Sequence, residues 1–322
     1  LAPTRPGSGL AGLKVMTANA PAPLRPLVMV DWGTSSLRAA FAREKTVLET
    51  RHSDQGILKV PAGGFPQVLQ TLCGDWLNEP NALCLISGMA GSAQGWALAP
   101  YCPCPAGQTE LAAHLHWIEP QRIALVPGLR CEHPHAPDVM RGEEVQILGV
   151  LQLQGLRDAQ LVLPGTHSKW VRVRAARIEH FSTFMTGELY AVLRQHSILG
   201  RTLPTMANDE PWDEAYFDQG VLLSLQGGSV LHHLFGVRTL ALMERATPVA
   251  LASYLSGLVI GEEVRGQDLR ADRPVWVVGS SALQTRYARA LALRGVQTHR
   301  LGDTATWTGL LSLATPLRHR TP

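Results

Sequence analysis

Two short stretches of the chain set a glycine, hydroxyl side chains and a cation at a turn between apolar runs. The first is Val30-Asp31-Trp32-Gly33-Thr34-Ser35-Ser36-Leu37-Arg38, and the second is Leu163-Pro164-Gly165-Thr166-His167-Ser168-Lys169-Trp170. This combination suits a phosphate group. Glycine lets the backbone bend and come close to an oxygen. Successive backbone N–H groups in such a turn converge on an anion. Thr34, Ser35 and Thr166 add hydroxyl donors, and Arg38 and Lys169 add positive charge. Asp31, at a strand end, is placed to hold a divalent cation directly or through water. The same Asp-x-Gly pattern also caps ordinary turns. One such turn alone would read as a plain β-turn. Two, at matching places in the two halves of the chain, point to a polyphosphate clamped from both sides.

The elements that must position these turns follow from periodicity. Residues 27–30, 36–42 and 46–52 read as three strands joined by short turns, hence an antiparallel meander. Residues 65–77 carry apolar side chains at helical spacing, and 82–87 return to a strand. Residues 88 to about 119 read as loop-rich, 123–127 as a strand and 142–153 as a helix. The second half starts alike: an apolar run at 161–163, then short strands at 169–174 and 178–181. Helices are expected at 186–196, 212–230, 247–265, 282–294 and 304–313, with a buried-type strand at 275–278. Thr247 caps its helix with Pro248 at the first position, Gly295 closes another, and Asp303 caps the last. Strands first, then helices alternating with strands, in each half: this is an α/β protein of two related lobes. The lobes are expected at 27–155 and 156–322.

Composition bounds the remaining options. The 322 residues suit two domains, with 45% hydrophobic and 17% charged residues in ordinary globular proportion. A net charge of +3 is too small to imply a nucleic-acid or membrane partner. Only four of the 29 basic residues are lysines, which singles out Lys169. Five cysteines do not form a secreted disulfide framework. Cys131, His133 and His135 could hold a metal on paper, but Pro134 and Pro137 make that stretch a loop and no fourth ligand is indicated, so no metal is expected there. No apolar run reaches the roughly 18–20 residues of a membrane helix, and residues 1–26 lack a secretory signal core. Those residues read as a disordered extension, or as sequence upstream of a start at Met16, and the expected compartment is the cytoplasm. Gly7, Gly9 and Gly12 match a dinucleotide fingerprint but follow no strand. A Gly-Lys phosphate-loop motif, a G-x-S-x-G elbow and an H-E-x-x-H motif do not occur.

The first turn resembles the phosphate-1 loop of the sugar-kinase, Hsp70 and actin superfamily. From about Leu27 onward the chain resembles the 2-dehydro-3-deoxygalactonokinase family. Six blocks carry the resemblance in order: VDWGTSSLRAAF from Val30, SGMAGSAQGW from Ser87, MRGEEVQILG from Met140, LPGTHSKWV from Leu163, FSTFMTGELYAVL from Phe181 and VVGSSALQTRYARAL from Val277. The resemblance implies two RNase H-like lobes, the actin-like ATPase fold, with ATP and Mg2+ in the cleft between them. It implies transfer of a phosphoryl group to the terminal hydroxyl of 2-dehydro-3-deoxy-D-galactonate, a small sugar acid.

It also implies roles. Related sugar kinases place their base in a Gly-Asp at the start of an interdomain helix, where this chain has Gly142-Glu143 followed by Glu144. Glu143 or Glu144 is then the base, with Glu143 preferred. Both equally suit a helix N-terminus as first-turn acids, worth a few tenths to about 1 kcal/mol. A sugar-acid carboxylate calls for an arginine, and Arg141 is the candidate beside the base. Gly88 and Met89 match a substrate-binding G-x-M-x-G stretch. Gly279 and Ser280 match the adenosine turn, while Arg38 and Lys169 would face the ATP phosphates. Ser182, Thr183 and Thr186 suit helix caps or ligand donors. Two other readings stay open: a phosphohydrolase of the same fold using water, and a non-catalytic nucleotide-binding protein. Sugar-dependent ADP release separates the kinase from both.

Overall fold

The computed structural model describes residues 24–205, 211–302 and 304–318. The expected extension, up to residue 23, lies outside the described residues together with its glycine motif, and so does the expected cap Asp303. β1 (Leu27–Trp32), β2 (Leu37–Arg43) and β3 (Thr46–Ser53) make the meander, followed by α1 (Phe65–Leu77) and β4 (Leu83–Gly88). The stretch expected as loop holds β5 (Cys102–Pro103), α2 (Gln108–Ala113) and β6 (His116–Glu119) before β7 (Ile123–Leu125). These elements are too short to show a period. β8 (Leu129–Cys131) and β9 (Asp138–Met140) then lead into α3 (Glu143–Gln154).

The second half repeats the plan with β10 (Ala159–Leu163), β11 (Ser168–Arg174) and β12 (Arg177–Phe184). Helices α4 (Thr186–His196), α5 (Glu214–Leu225), α6 (Val230–Leu242) and α7 (Pro248–Arg265) follow. The helix expected over 212–230 is α5, which ends earlier because Gly227 and Gly228 take positive φ angles of 89° and 97°, and α6 after it was not expected. β13 (Val275–Val278), α8 (Ser281–Leu293), β14 (Thr298–Leu301) and α9 (Thr304–Arg318) complete the chain.

Strand order shows the duplication. The first sheet runs β3-β2-β1-β4-β7-β6 and the second β12-β11-β10-β13-β14. In each, three antiparallel strands precede parallel partners, β1 beside β4 and β10 beside β13. This is the RNase H-like order, present twice, as the actin-like ATPase fold requires. β1 is apolar along nearly its whole length because it is central, with both faces covered. One face of the first sheet is covered by α1, whose Phe65, Leu69, Cys73 and Trp76 point inward at helical spacing. The outer face of the second sheet carries α5 to α8. Between the sheets, α3 and α9 share one core with Leu27, Met29, Leu161 and Val171.

The α3–α9 crossing is unusually close. A Cβ on Gly149 would sit 1.8 Å from the Ala305 carbonyl oxygen, and one on Gly309 would sit 1.8 Å from that of Val145. Two glycines therefore let the helix backbones touch. Among the described residues, no helix is long and apolar enough to cross a membrane.

Candidate active site

The connections β1–β2 and β10–β11 are each four residues long, 33–36 and 164–167. They are the two glycine–threonine turns. The C-terminal ends of β1, β4, β10 and β13 meet the N-terminus of α3 around a cavity of about 370 Å3. Ligand sites lie at such carboxyl ends of parallel strands in α/β sheets. Asp31, Gly33, Thr34, Gly88, Met89, Arg141 and Glu143 line it from the first half of the chain. Gly165, Thr166, Lys169 and Gly279 line it from the second. Most of the residues singled out by type and spacing are thus brought together. Ser35, Arg38, Glu144 and Ser280 do not line the cavity.

Glu143 and Lys169 join the two halves across this cavity. Lys169 Nζ lies 3.4 Å from Glu143 Oε1 and donates to the His167 carbonyl at 3.0 Å. The lysine side chain is only 6% exposed and the glutamate 26%, so the pair is shielded but open to the cavity. The other Glu143 oxygen, Oε2, accepts the Arg141 backbone N–H at 3.1 Å. Glu144 turns the opposite way and is fully buried. Its Oε2 accepts the Gly142 N–H at 2.7 Å, while Oε1 has no hydrogen-bond partner. Burial, with the Glu143 carboxylate beside it, pushes the Glu144 carboxyl up to about 8. A protonated carboxyl is the species that can live there.

Arg141 is buried over the Tyr101 ring, with its guanidinium carbon 4.4 Å from the ring centre. Its Nη2 donates to the Ala99 carbonyl at 2.8 Å, leaving Nε and Nη1 with no partner. Buried guanidinium N–H groups without acceptors are costly. Arg141 lines the cavity, where an under-satisfied guanidinium suits an anionic group such as a carboxylate. Arg38 instead donates to Asp31 Oδ2 at 2.6 Å. The two residues are directly opposed in the β1–β2 register, so their side chains meet as a cross-strand pair.

The backbone explains two glycines. Gly88 takes φ 89°, and a Cβ there would press 2.7 Å from the Trp32 carbonyl oxygen. Gly142 takes φ 106° and faces Gly88 at the foot of the cavity. Gly165 differs, since a Cβ on it would meet nothing within 4 Å. That open space is a cradle for a ligand.

Three contributors escaped the sequence reading. Gln146 lines the cavity one turn after Glu143, a placement the helical period offers. Gln284 donates to the Gly279 and Leu301 carbonyls at 2.8 and 2.7 Å and so fixes the turn after β13. Glu263, buried in α7, accepts from Trp170 Nε1 at 2.7 Å, Tyr287 Oη at 2.8 Å and Thr186 Oγ1. It anchors the strand that carries Lys169 from beneath, and pins Thr186 as part of that anchor. His167 lines the cavity and pairs with Glu188.

Comparison with known proteins fits this geometry. The family model for 2-keto-3-deoxy-galactonokinase matches residues 31–313. The 2-dehydro-3-deoxygalactonokinase of Escherichia coli (strain K12) is 33% identical over 290 residues, covering 89% of this chain and 97% of that protein. A Rhizobium meliloti (strain 1021) protein to which the same activity is attributed is 34% identical over 291 residues, covering 88% and 95%. A crystal structure from Sinorhizobium meliloti, attributed to the same enzyme, superposes with a TM-score of 0.83 at 34% identity and covers 90% of this chain and 98% of that one. The chain belongs to the 2-keto-3-deoxy-galactonokinase family.

Proposed function

We propose that the chain transfers the γ-phosphoryl group of ATP to the 6-hydroxyl of 2-dehydro-3-deoxy-D-galactonate, giving the 6-phosphate and ADP in galactonate breakdown. The observation that carries this reading is the Glu143–Lys169 pair, which joins a carboxylate of one half to an ammonium of the other inside the cavity. Phosphoryl transfer to an alcohol needs an oriented hydroxyl, a group to take its proton, and positive charge on the moving phosphoryl oxygens. Glu143 takes the proton of the 6-hydroxyl. Its carboxylate is held from behind by the Arg141 N–H. Lys169 holds phosphoryl oxygens, and the turns at Gly33-Thr34 and Gly165-Thr166 supply backbone and hydroxyl donors. The Arg141 guanidinium, at the cavity wall with donors left unpartnered, fits the substrate carboxylate. Gly88 and Met89 bound the sugar side, and Gly279 makes room for the nucleoside.

Asp31 is the residue that would hold magnesium. Its carboxylate and the neighbouring Thr34 hydroxyl form the hard oxygen donor set that this ion prefers. Magnesium supplies charge neutralisation on the phosphates. Arg38, on Asp31 Oδ2, keeps the carboxylate oriented. The lobes divide at about residue 155, with α9 returning to pack on α3, and the need for ATP assigns the reaction to the cytoplasm.

Coupled ADP release tests the reading with three reactions: the galactonate form, its gluconate epimer, and no sugar. Turnover confined to the galactonate form is the expected outcome. Equal turnover with both acids would remove the substrate name, and sugar-independent release would make the protein a phosphohydrolase.

A further inference from the structure

A second cluster of ligand-type side chains lies outside the cavity, where β8 and the connection that follows it meet the edge strand β12 of the second sheet. Cys131 ends β8, His133 follows two residues later, and His180 lies within β12. One ligand atom from each of the three lies within 4.8 Å of the others. The loop His135, the neighbour in sequence, is not in this group, and His180 stands in its place from 47 residues downstream.

The geometry within the cluster is specific. His133 Nδ1 and His180 Nε2 stand 3.2 Å apart. Around a tetrahedral zinc ion with Zn–N bonds of about 2.0–2.1 Å, two imidazole nitrogens stand about 3.3 Å apart. The other His133 nitrogen, Nε2, lies 2.8 Å from the Phe181 carbonyl oxygen. Only a ring N–H makes that bond, so the proton sits on Nε2 and the Nδ1 lone pair faces His180. An imidazole tied to a carbonyl through its far nitrogen is how metal-ligating histidines are oriented. Cys104, like His135, is not in the group. Asp138 is not a ligand, because its two oxygens accept from Thr183 N and Oγ1 at 2.6 Å each.

We infer that Cys131, His133 and His180 form a three-ligand zinc site, completed by a water, that ties the first half of the chain to the edge of the second sheet. Two imidazole nitrogens with one thiolate sulfur select zinc over magnesium or calcium. None of the three lines the phosphoryl-transfer cavity, so the ion takes no part in that reaction.

The test is a cobalt titration of the full chain, stripped of metal and kept reduced with a phosphine. One equivalent of Co2+ should give a thiolate-to-cobalt charge-transfer band and the intense visible bands of a tetrahedral ion. Zinc should abolish both. Cys131→Ser and His180→Asn should each lose the spectrum, while His135→Asn should keep it. Retained ATP binding shows that a variant is folded. The wild-type titration decides the matter even if a variant fails to fold. A pale spectrum without a thiolate band would overturn the inference. So would a thiolate band that survives in Cys131→Ser, or one lost in His135→Asn.

Discussion

Consecutive residues on a helix leave the axis about 100° apart, so Glu143 and Glu144 at the start of α3 enter different surroundings. Glu143 faces the cavity and Lys169, whereas Glu144 is fully buried with its carboxyl pushed up to about 8. The second glutamate has a consequence for stability. The unfolded chain ionises Glu144 in the ordinary carboxylate range, while the folded chain keeps the proton until about pH 8. Stability from this group is therefore present at acid pH and drains away as pH rises toward 8, by at most about 1.4 kcal/mol per pH unit. Glu144→Gln removes the titration and can still accept the Gly142 N–H. Denaturant midpoints should favour this variant over wild type at pH 8 and much less at pH 5. An equal difference at both values would contradict the assignment. Arg141→Lys tests the carboxylate contact, since an ammonium lacks the planar spread of guanidinium donors. KM for the sugar acid should rise about 10-fold or more while KM for ATP stays within about twofold, as charged hydrogen bonds carry about 1.5–3 kcal/mol. Much of this site was legible. The recurrence of glycine, hydroxyls and a cation at matching turns exposed Gly33, Thr34, Gly165, Thr166 and Lys169, all of which line the cavity. The partner of Arg38 was not legible, because phosphate and Asp31 are told apart only by the β1–β2 register. His180 escaped for a similar reason: it reaches its cluster from another strand.

At the scale of elements, α3 carries Glu143 and depends on α9 for its position. The Gly309–Val145 and Gly149–Ala305 approaches leave no space for a methyl group. Gly309→Ala must therefore push the two helices apart, at a cost of about 1–3 kcal/mol for an overpacked core. Thermal unfolding should show a clear loss, with KM raised for both substrates because α3 holds one wall of the cavity. Gly302→Ala, where a Cβ would meet nothing within 4 Å, is the control and should behave as wild type. A Gly309→Ala protein of normal stability would mean that the crossing relaxes freely. The long elements were readable because their burial is periodic, as in α1, or continuous, as in β1 and α7. The short β5, β8, β9 and β14 were not. Their two to four residues are held by partners distant in sequence, such as Cys102 of β5 paired with Leu129 of β8. α6 was not readable despite its 13 residues, because only Leu234 and Val237 in it are buried and they make no stripe.

For the whole molecule, duplication organises function. Each half brings one large sheet and one glycine–threonine turn, and neither half alone holds both Glu143 and Lys169. A cleft built this way can close on its substrates and exclude water, which would otherwise compete with the sugar hydroxyl. The central claim is that this cavity phosphorylates the sugar acid with Glu143 as the base. Phosphorus NMR of the product, formed from ATP and 2-dehydro-3-deoxy-D-galactonate by wild type and by Glu143→Gln, tests it most directly. The account predicts a 6-phosphate monoester from wild type, and a rate lower by about 100-fold or more in the variant with ATP binding retained. Inorganic phosphate as the wild-type product, or a Glu143→Gln enzyme of normal rate, would contradict it.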